Sequence, residues 1–128
     1  MVDAVNSTGG LAVPNLLKKL GVNIIKLYCN PNGEFPHNPE PLKENLTDLS
    51  KLVIKEKADL GIVVDPDVDR LALVSENGEV FGEEYTLVAC ADYFLKNNPG
   101  NTVSNLSSSR ALKAVSYTHL TLPTSCCG

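Results

Sequence analysis

L-G-I-V-V-D-P-D-V-D-R-L-A-L, residues 60–73, opens as an apolar run and ends in three alternating aspartates followed by an arginine. Leu60, Ile62, Val63 and Val64 predict a buried strand of a parallel or mixed sheet. Pro66 has no backbone N–H, so the ladder stops just after Asp65. Asp65, Asp67 and Asp69 then fall in a loop at the C-terminal end of a core strand, where open α/β sheets place their ligands. The alternate spacing lets three carboxylates converge on one point while Pro66 and Val68 face away.

Three carboxylates held close together repel one another, and a hard divalent cation removes that conflict. An all-oxygen set with no Cys or His nearby favours Mg2+ over Zn2+. Mg2+ also keeps positions for water or a phosphate, which suits phosphoryl chemistry. The plain alternative is an acidic, solvated turn at a strand end. An EF-hand loop beginning at Asp65 would reach a glutamate, Glu76, at its twelfth position, but its sixth is Arg70 where glycine is required, and a strand precedes it. A haloacid-dehalogenase-type phosphatase also starts from a strand and an Asp-x-Asp pair, here Asp65 and Asp67. Against it, Asp69 stands where such enzymes carry a small or β-branched residue, and no later Asp-Asp pair follows.

The 128 residues suffice for one domain with a hydrophobic core. Apolar residues make up 43% and charged residues 20%, the range of a globular protein. A net charge of −4 and a pI near 5.1 argue against a nucleic-acid partner and against a polybasic membrane-surface protein. No apolar run approaches the length of a membrane span, and M-V-D-A-V-N lacks the basic and apolar regions of a secretory signal. Cys29 follows an expected strand and Cys90 lies on the apolar face of an expected helix, so both read as small core residues of a reducing compartment. Cys126 and Cys127 are adjacent and lack zinc-type spacing. The cytoplasm is the expected location.

Val2 to Val5 predicts a strand with almost nothing before it, which suggests an N-terminally truncated domain. A helix over about Leu11 to Leu20 should bury Leu11, Val13, Leu16, Leu17 and Leu20 and stop at Gly21. The preceding Gly9-Gly10 reads as backbone geometry rather than as a phosphate cradle. Asn23 to Tyr28 reads as a second strand. Asn30 to Pro41, with four prolines and a glycine, reads as a structured loop in which His37 packs. Leu46, Leu49, Leu52 and Val53 mark a helix over Leu42 to Lys57. Leu71 to Ser75 and Glu79 to Phe81 flank Asn77-Gly78, a hairpin signal. A helix is expected from Glu83 to about Asn97, with Glu83 and Glu84 favouring its dipole, and a last strand from Asn101 to Leu106. The fold expected from this order is α/β: a single three-layer domain, a mixed sheet with helices on both faces.

D-P-D-V-D-R resembles the metal loop of the α-D-phosphohexomutases, the phosphoglucomutase and phosphomannomutase enzymes. That loop usually carries glycine or alanine between its aspartates, so Pro66 and Val68 depart from it without touching the ligand positions. The resemblance runs from about Val2 to Leu112. It takes in Gly9-Gly10, F-P-H-N-P-E-P from Phe35 to Pro41, A-D-L-G-I before the loop, and S-S-S-R-A-L from Ser107. It implies the second of four domains in a mutase that moves a phosphoryl group between the 1- and 6-positions of a hexose through a bisphosphate. In such an enzyme a phosphoserine of the first domain gives and takes back the group, and Mg2+ bridges it to three aspartates. Carried over, Asp65, Asp67 and Asp69 are the metal ligands and Arg70 the catalytic cation beside the phosphoserine. Ser107 and Arg110 are candidate substrate contacts, with a helix cap and a solvated arginine as the plain reading. The implied partners are a phosphorylated hexose and the three remaining domains. A sugar-phosphate-binding module without chemistry is a third class of function.

Ala114 to Gly128 does not continue this pattern. It carries no Asp, Glu, Lys or Arg and no regular period, and it resembles translated sequencing-adapter read-through. The expected division is a domain over 1–113 and a non-family tail over 114–128.

Overall fold

The computed structural model describes residues 1–104 and 110–119. Its elements are β1 (Val2–Asp3), α1 (Gly9–Lys19), β2 (Lys26–Leu27), a 3-10 turn (Lys43–Asn45), α2 (Thr47–Lys55), β3 (Leu60–Val64), β4 (Leu71–Ser75), β5 (Val80–Phe81), α3 (Glu83–Asn97) and α4 (Arg110–His119). Five strands form one mixed sheet in the order β2-β1-β3-β4-β5. β1 runs parallel to β2 and β3, while β3–β4 and β4–β5 are antiparallel. The chain divides into two compact units, Met1–Glu83 and a second from Glu84 onward.

In the first unit the two sheet faces are covered by different helices. Gly61, Val63, Ala72 and Val74 lie on one face. They pack with Leu46, Leu49 and Val53 of the α2 segment into a core in which most side chains are fully buried. Val64, one residue on, points to the opposite face and meets α1 at Gly9. The order β2-β1-β3 requires this: the right-handed crossovers from β1 to β2 through α1 and from β2 back past β1 to β3 through α2 run in opposite directions, which puts their helices on opposite faces.

β3, the β4–β5 hairpin and α3 form where the sequence places them. Gly78 closes the hairpin at φ +81°, donating its N–H to the Ser75 carbonyl at 2.8 Å. Other expectations need correction. β1 stops at Asp3 because Val5 and Asn6 turn into the left-handed region, at φ 46° and 55°. β2 keeps only Lys26 and Leu27 of the span Asn23–Tyr28, being an edge strand with β1 as its single neighbour. The helix expected from Leu42 starts instead with the 3-10 turn, and α2 ends at Lys55.

α1 begins two residues earlier than expected, at Gly9, and its face is rotated. Gly9, Gly10 and Pro14 are buried, whereas Leu11, Leu16 and Leu20 are each more than half exposed. Cys90 is exposed rather than part of the core, and Cys29 is half-buried. No strand forms over 101–104, where Val103 is fully exposed. Leu106 and Ser107, and with them the end of the expected strand, lie outside the described residues, as do Cys126 and Cys127. In the second unit α3 buries Leu95, and α4 runs without a break across the boundary expected at 113/114. Among the described residues no helix is long and apolar enough to cross a membrane.

Candidate metal centre

β1, β2 and β3 are parallel, so their C-terminal ends open on the same edge of the sheet. All three chain segments leaving that edge turn sharply: Val5, Asn6, Tyr28 and Val68 have positive φ, although none is glycine. Such conformations persist only where the surroundings hold them. Here the loops hold one another. The Asn6 N–H donates to the Tyr28 carbonyl (2.6 Å), the Asn6 amide bonds Glu34 and Asn30, and Thr8 Oγ1 donates to the Pro66 carbonyl (3.2 Å).

The loop after β3 is built around Asp65. Its carbonyl accepts the Val68 N–H at 3.2 Å, and its carboxylate accepts the Arg70 N–H at 3.0 Å. With Val68 in the left-handed region between these two bonds, the chain folds back on itself. The result brings one carboxylate oxygen each of Asp65, Asp67 and Asp69 within 4.8 Å of one another. Asp65 is buried; Asp67 and Asp69 are exposed. Among the described residues this is the acidic group able to hold a cation.

Electrostatics differ across the cluster. Burial pushes the Asp65 carboxyl up, but the Arg70 N–H and the side-chain interactions with Asp69 and Asp67 outweigh it and hold Asp65 below the usual carboxylate range. Asp69 is pushed above its ordinary value, first by its hydrogen bond to Asp65 and then by the negative charges of Asp67 and Asp65. The three negative charges of the cluster repel one another, and a bound cation would relieve that repulsion. Oxygen-only donors, two of them open to solvent, fit a hard ion that keeps part of its water shell.

The three aspartates share an open hollow of about 250 Å³ with Pro39, Glu40, Pro66 and Arg70. Pro66 thus lines the site instead of facing away, while Val68 approaches Gly9 of α1. Arg70 Nη1 lies 3.9 Å from Glu40 Oε1, with both side chains about half exposed. Arg110 is the exposed first residue of α4, in the second unit. Sequence reasoning missed Pro39 and Glu40. Their signal was the run Phe35–Pro41, read as a loop without a target.

His37, in the same run, has a defined place. Its Nε2 lies 3.0 Å from Oδ2 of Asp3, which is 1% exposed at the end of β1, and its Nδ1 lies 2.8 Å from the Asn38 carbonyl. Asp3 Oδ1 accepts the Val5 N–H at 3.0 Å. Burial pushes the Asp3 carboxyl up, against the Val5 N–H and His37, with the charge of Asp48 adding to the rise. A carboxyl raised by folding contributes stability that is fully present below its unfolded value and lost as pH rises through the folded one.

Residues 1–78 match the family model described as phosphoglucomutase/phosphomannomutase, alpha/beta/alpha domain II. A phosphoglucomutase/phosphomannomutase of Thermococcus kodakarensis is 36% identical over 114 residues, covering 88% of this chain and 25% of that protein. A phosphomannomutase/phosphoglucomutase of Pseudomonas aeruginosa is 40% identical over 102 residues, covering 78% and 22%. The crystal structure of a phosphoglucomutase/phosphomannomutase family protein from Burkholderia thailandensis superposes with a TM-score of 0.74 at 31% identity. That match covers 90% of this chain and 27% of the neighbour. The chain spans about a quarter of the length of the curated relatives it matches. With the family model covering more than half of its residues, the chain belongs to the phosphoglucomutase/phosphomannomutase family.

Proposed function

We propose that this chain is the metal-loop domain of a phosphosugar mutase that interconverts hexose 1-phosphate and hexose 6-phosphate. The observation that carries the proposal is the meeting of three carboxylates at the C-terminal edge of the sheet. The family relationship supports the substrate class: the relatives are mutases of phosphorylated glucose and mannose by name.

Asp65, Asp67 and Asp69 would hold Mg2+. When bound, the ion supplies positive charge against the oxygens of a transferring phosphoryl group. The chain's own residues do the rest. Asp65 is fixed by the Arg70 N–H, so the deepest ligand position is set before any ligand arrives. Arg70 stands on the rim with its guanidinium in loose, exposed contact with Glu40, a pairing worth little in water. A phosphoryl group offers that guanidinium charge-assisted bonds, so exchanging Glu40 for phosphate costs little and stabilises charge as it spreads in the transition state. Arg110, and Ser107 outside the described residues, are assigned to substrate contact. The phosphoserine that gives and takes back the group would belong to another domain of the same protein.

The test uses two proteins. The complete protein should convert glucose 1-phosphate or mannose 1-phosphate to the 6-phosphate with Mg2+. The 128-residue chain by itself should neither do so nor hydrolyse a generic phosphomonoester. Mg2+-dependent hydrolysis by the chain alone, removed by Asp65→Asn, would replace the mutase reading with a phosphatase. Binding of hexose phosphate by the chain alone at micromolar concentration, with no turnover in the complete protein, would make it a binding module.

We also assign the family domain to 1–113 and treat 114–128 as a tail outside it. α4 continues to His119, across that boundary. Deleting 114–128 should change stability by less than about 1 kcal/mol, the range of changes away from packed features. Thermal melts of the two chains in reductant decide it; a large loss of melting temperature would make the tail part of the fold.

A further inference from the structure

We propose that Asp3 and His37 act as a positioning pair, a strut that needs one shared proton to hold the 35–41 loop, and with it Pro39 and Glu40, against the Asp65–Arg70 loop. The inference does not rest on the mutase reading, because it needs neither metal nor sugar.

Counting protons leads there. The Asn38 carbonyl can only accept, so His37 Nδ1, 2.8 Å away, must donate. A neutral imidazole with Nδ1 protonated has a bare lone pair on Nε2, and Nε2 faces a carboxylate oxygen of Asp3 at 3.0 Å. Two acceptors at that distance repel. The contact holds only if one further proton lies between them, on the imidazole as an ion pair or on the carboxyl as a neutral hydrogen bond. Either way the pair carries one proton more than an imidazole facing a carboxylate. With Asp3 almost wholly buried, water cannot replace the lost bond.

The surroundings favour keeping that proton. Asp48 of α2 adds negative charge beside Asp3. Tyr28 packs its ring edge on His37, at 5.6 Å between centroids, and its hydroxyl donates to Asp48 Oδ2 at 3.0 Å. That bond holds the hydroxyl above its usual value, hence neutral. Burial, and then Asp3, push the Cys29 thiol up, so it too stays neutral; Lys26 is the cation facing Cys29. The mechanical link is short. His37 is three residues from Glu40, and Pro39 and Glu40 line the wall of the hollow that holds the aspartates. As pH rises and the proton leaves, the strut opens and that wall is released.

Nuclear magnetic resonance of the full 128-residue chain tests this without ligand. As pH is raised from about 5 to about 8, the amides of Asn38 and Glu40 should shift in one step that coincides with a step at Val5, whose N–H is bonded to Asp3. In Asp3→Asn the side-chain amide can still accept from Val5 and now donates to a neutral Nε2. The step should vanish, with Asn38 and Glu40 held at their low-pH positions. In His37→Ala the same amides should sit at the high-pH positions throughout. A step that survives in Asp3→Asn overturns the proposal, as does its absence from the wild type. Should Asp3→Asn fail to fold, His37→Ala decides alone: loop amides left at the low-pH positions overturn it.

Discussion

Asp65→Asn should weaken Mg2+ binding to this chain by more than about 100-fold, which for a weak site means that calorimetry detects none. Removing a partner one shell out from a metal already costs about 10–100-fold in affinity, and Asp65 is proposed as a direct ligand. It is also the buried member of the cluster, the one whose negative charge the fold holds in place through the Arg70 N–H. The amide keeps an oxygen to accept that N–H, so the loop should stay folded while the charge is lost. Asp67→Asn and Asp69→Asn should each weaken binding as well, since they supply the other oxygens within 4.8 Å. Glu40→Gln is the control. Glu40 lines the same hollow but touches Arg70 rather than the aspartates, so affinity should change by no more than about 3-fold, the scale of an exposed pair. Binding by Asp65→Asn as strong as the wild type's would remove the three-aspartate assignment.

What the sequence made legible was local. β3 is a short apolar run cut by a proline, the hairpin is an Asn-Gly between two apolar runs, and α3 is bounded by two glutamates and Pro99-Gly100; each signal lies within the element it specifies. The aspartate triplet belongs to the same class, because alternation and a single left-handed turn at Val68 bring the oxygens together over five residues. What failed was long-range. Among the described residues no strand pairs with 101–104, so the β propensity of that stretch goes unused there. Glu40 reaches Arg70 across thirty residues of chain, and His37 reaches Asp3 across thirty-four, separations at which composition carries no register. The structural comparison extends the same logic. A TM-score of 0.74 at 31% identity shows a backbone retained while most side chains differ, so it supports the α/β fold more directly than any residue's role.

The rotated face of α1 leads to the second large effect: Gly10→Ala should destabilise the protein by about 3 kcal/mol or more, the upper range for overpacking a filled interior. Hydrophobic periodicity points to Leu11, Leu16 and Leu20, yet these are exposed, and the buried positions are Gly9, Gly10 and Pro14. The helix meets the rest of the fold through its smallest residues because backbone lies directly against it. A Cβ built on Gly10 would sit 2.5 Å from the Cys29 carbonyl oxygen, 2.8 Å from its carbon and 2.9 Å from Cys29 Cα. These are main-chain atoms next to Tyr28, itself at φ 48° and bonded through its carbonyl to Asn6, so they cannot swing aside as a side chain would. Relief requires moving α1 or the β2 exit loop, and either displaces the turns that hold the site edge. Gly9 differs in kind: its added Cβ would meet a methyl of Val64 at 2.6 Å, a side chain able to yield in part. At about 4–8 °C per kcal/mol for a small domain, Gly10→Ala should lower the melting temperature by more than about 12 °C. Gly33→Ala, with nothing within 4 Å but φ +77°, should cost only about 1 kcal/mol. Melts of the three chains, followed by circular dichroism, separate the readings. If Gly10→Ala melts like Gly33→Ala, contact with Cys29 is not what the glycine pair is for. If it instead falls by the expected amount with the pair far from any phosphate, close packing accounts for Gly10 by itself.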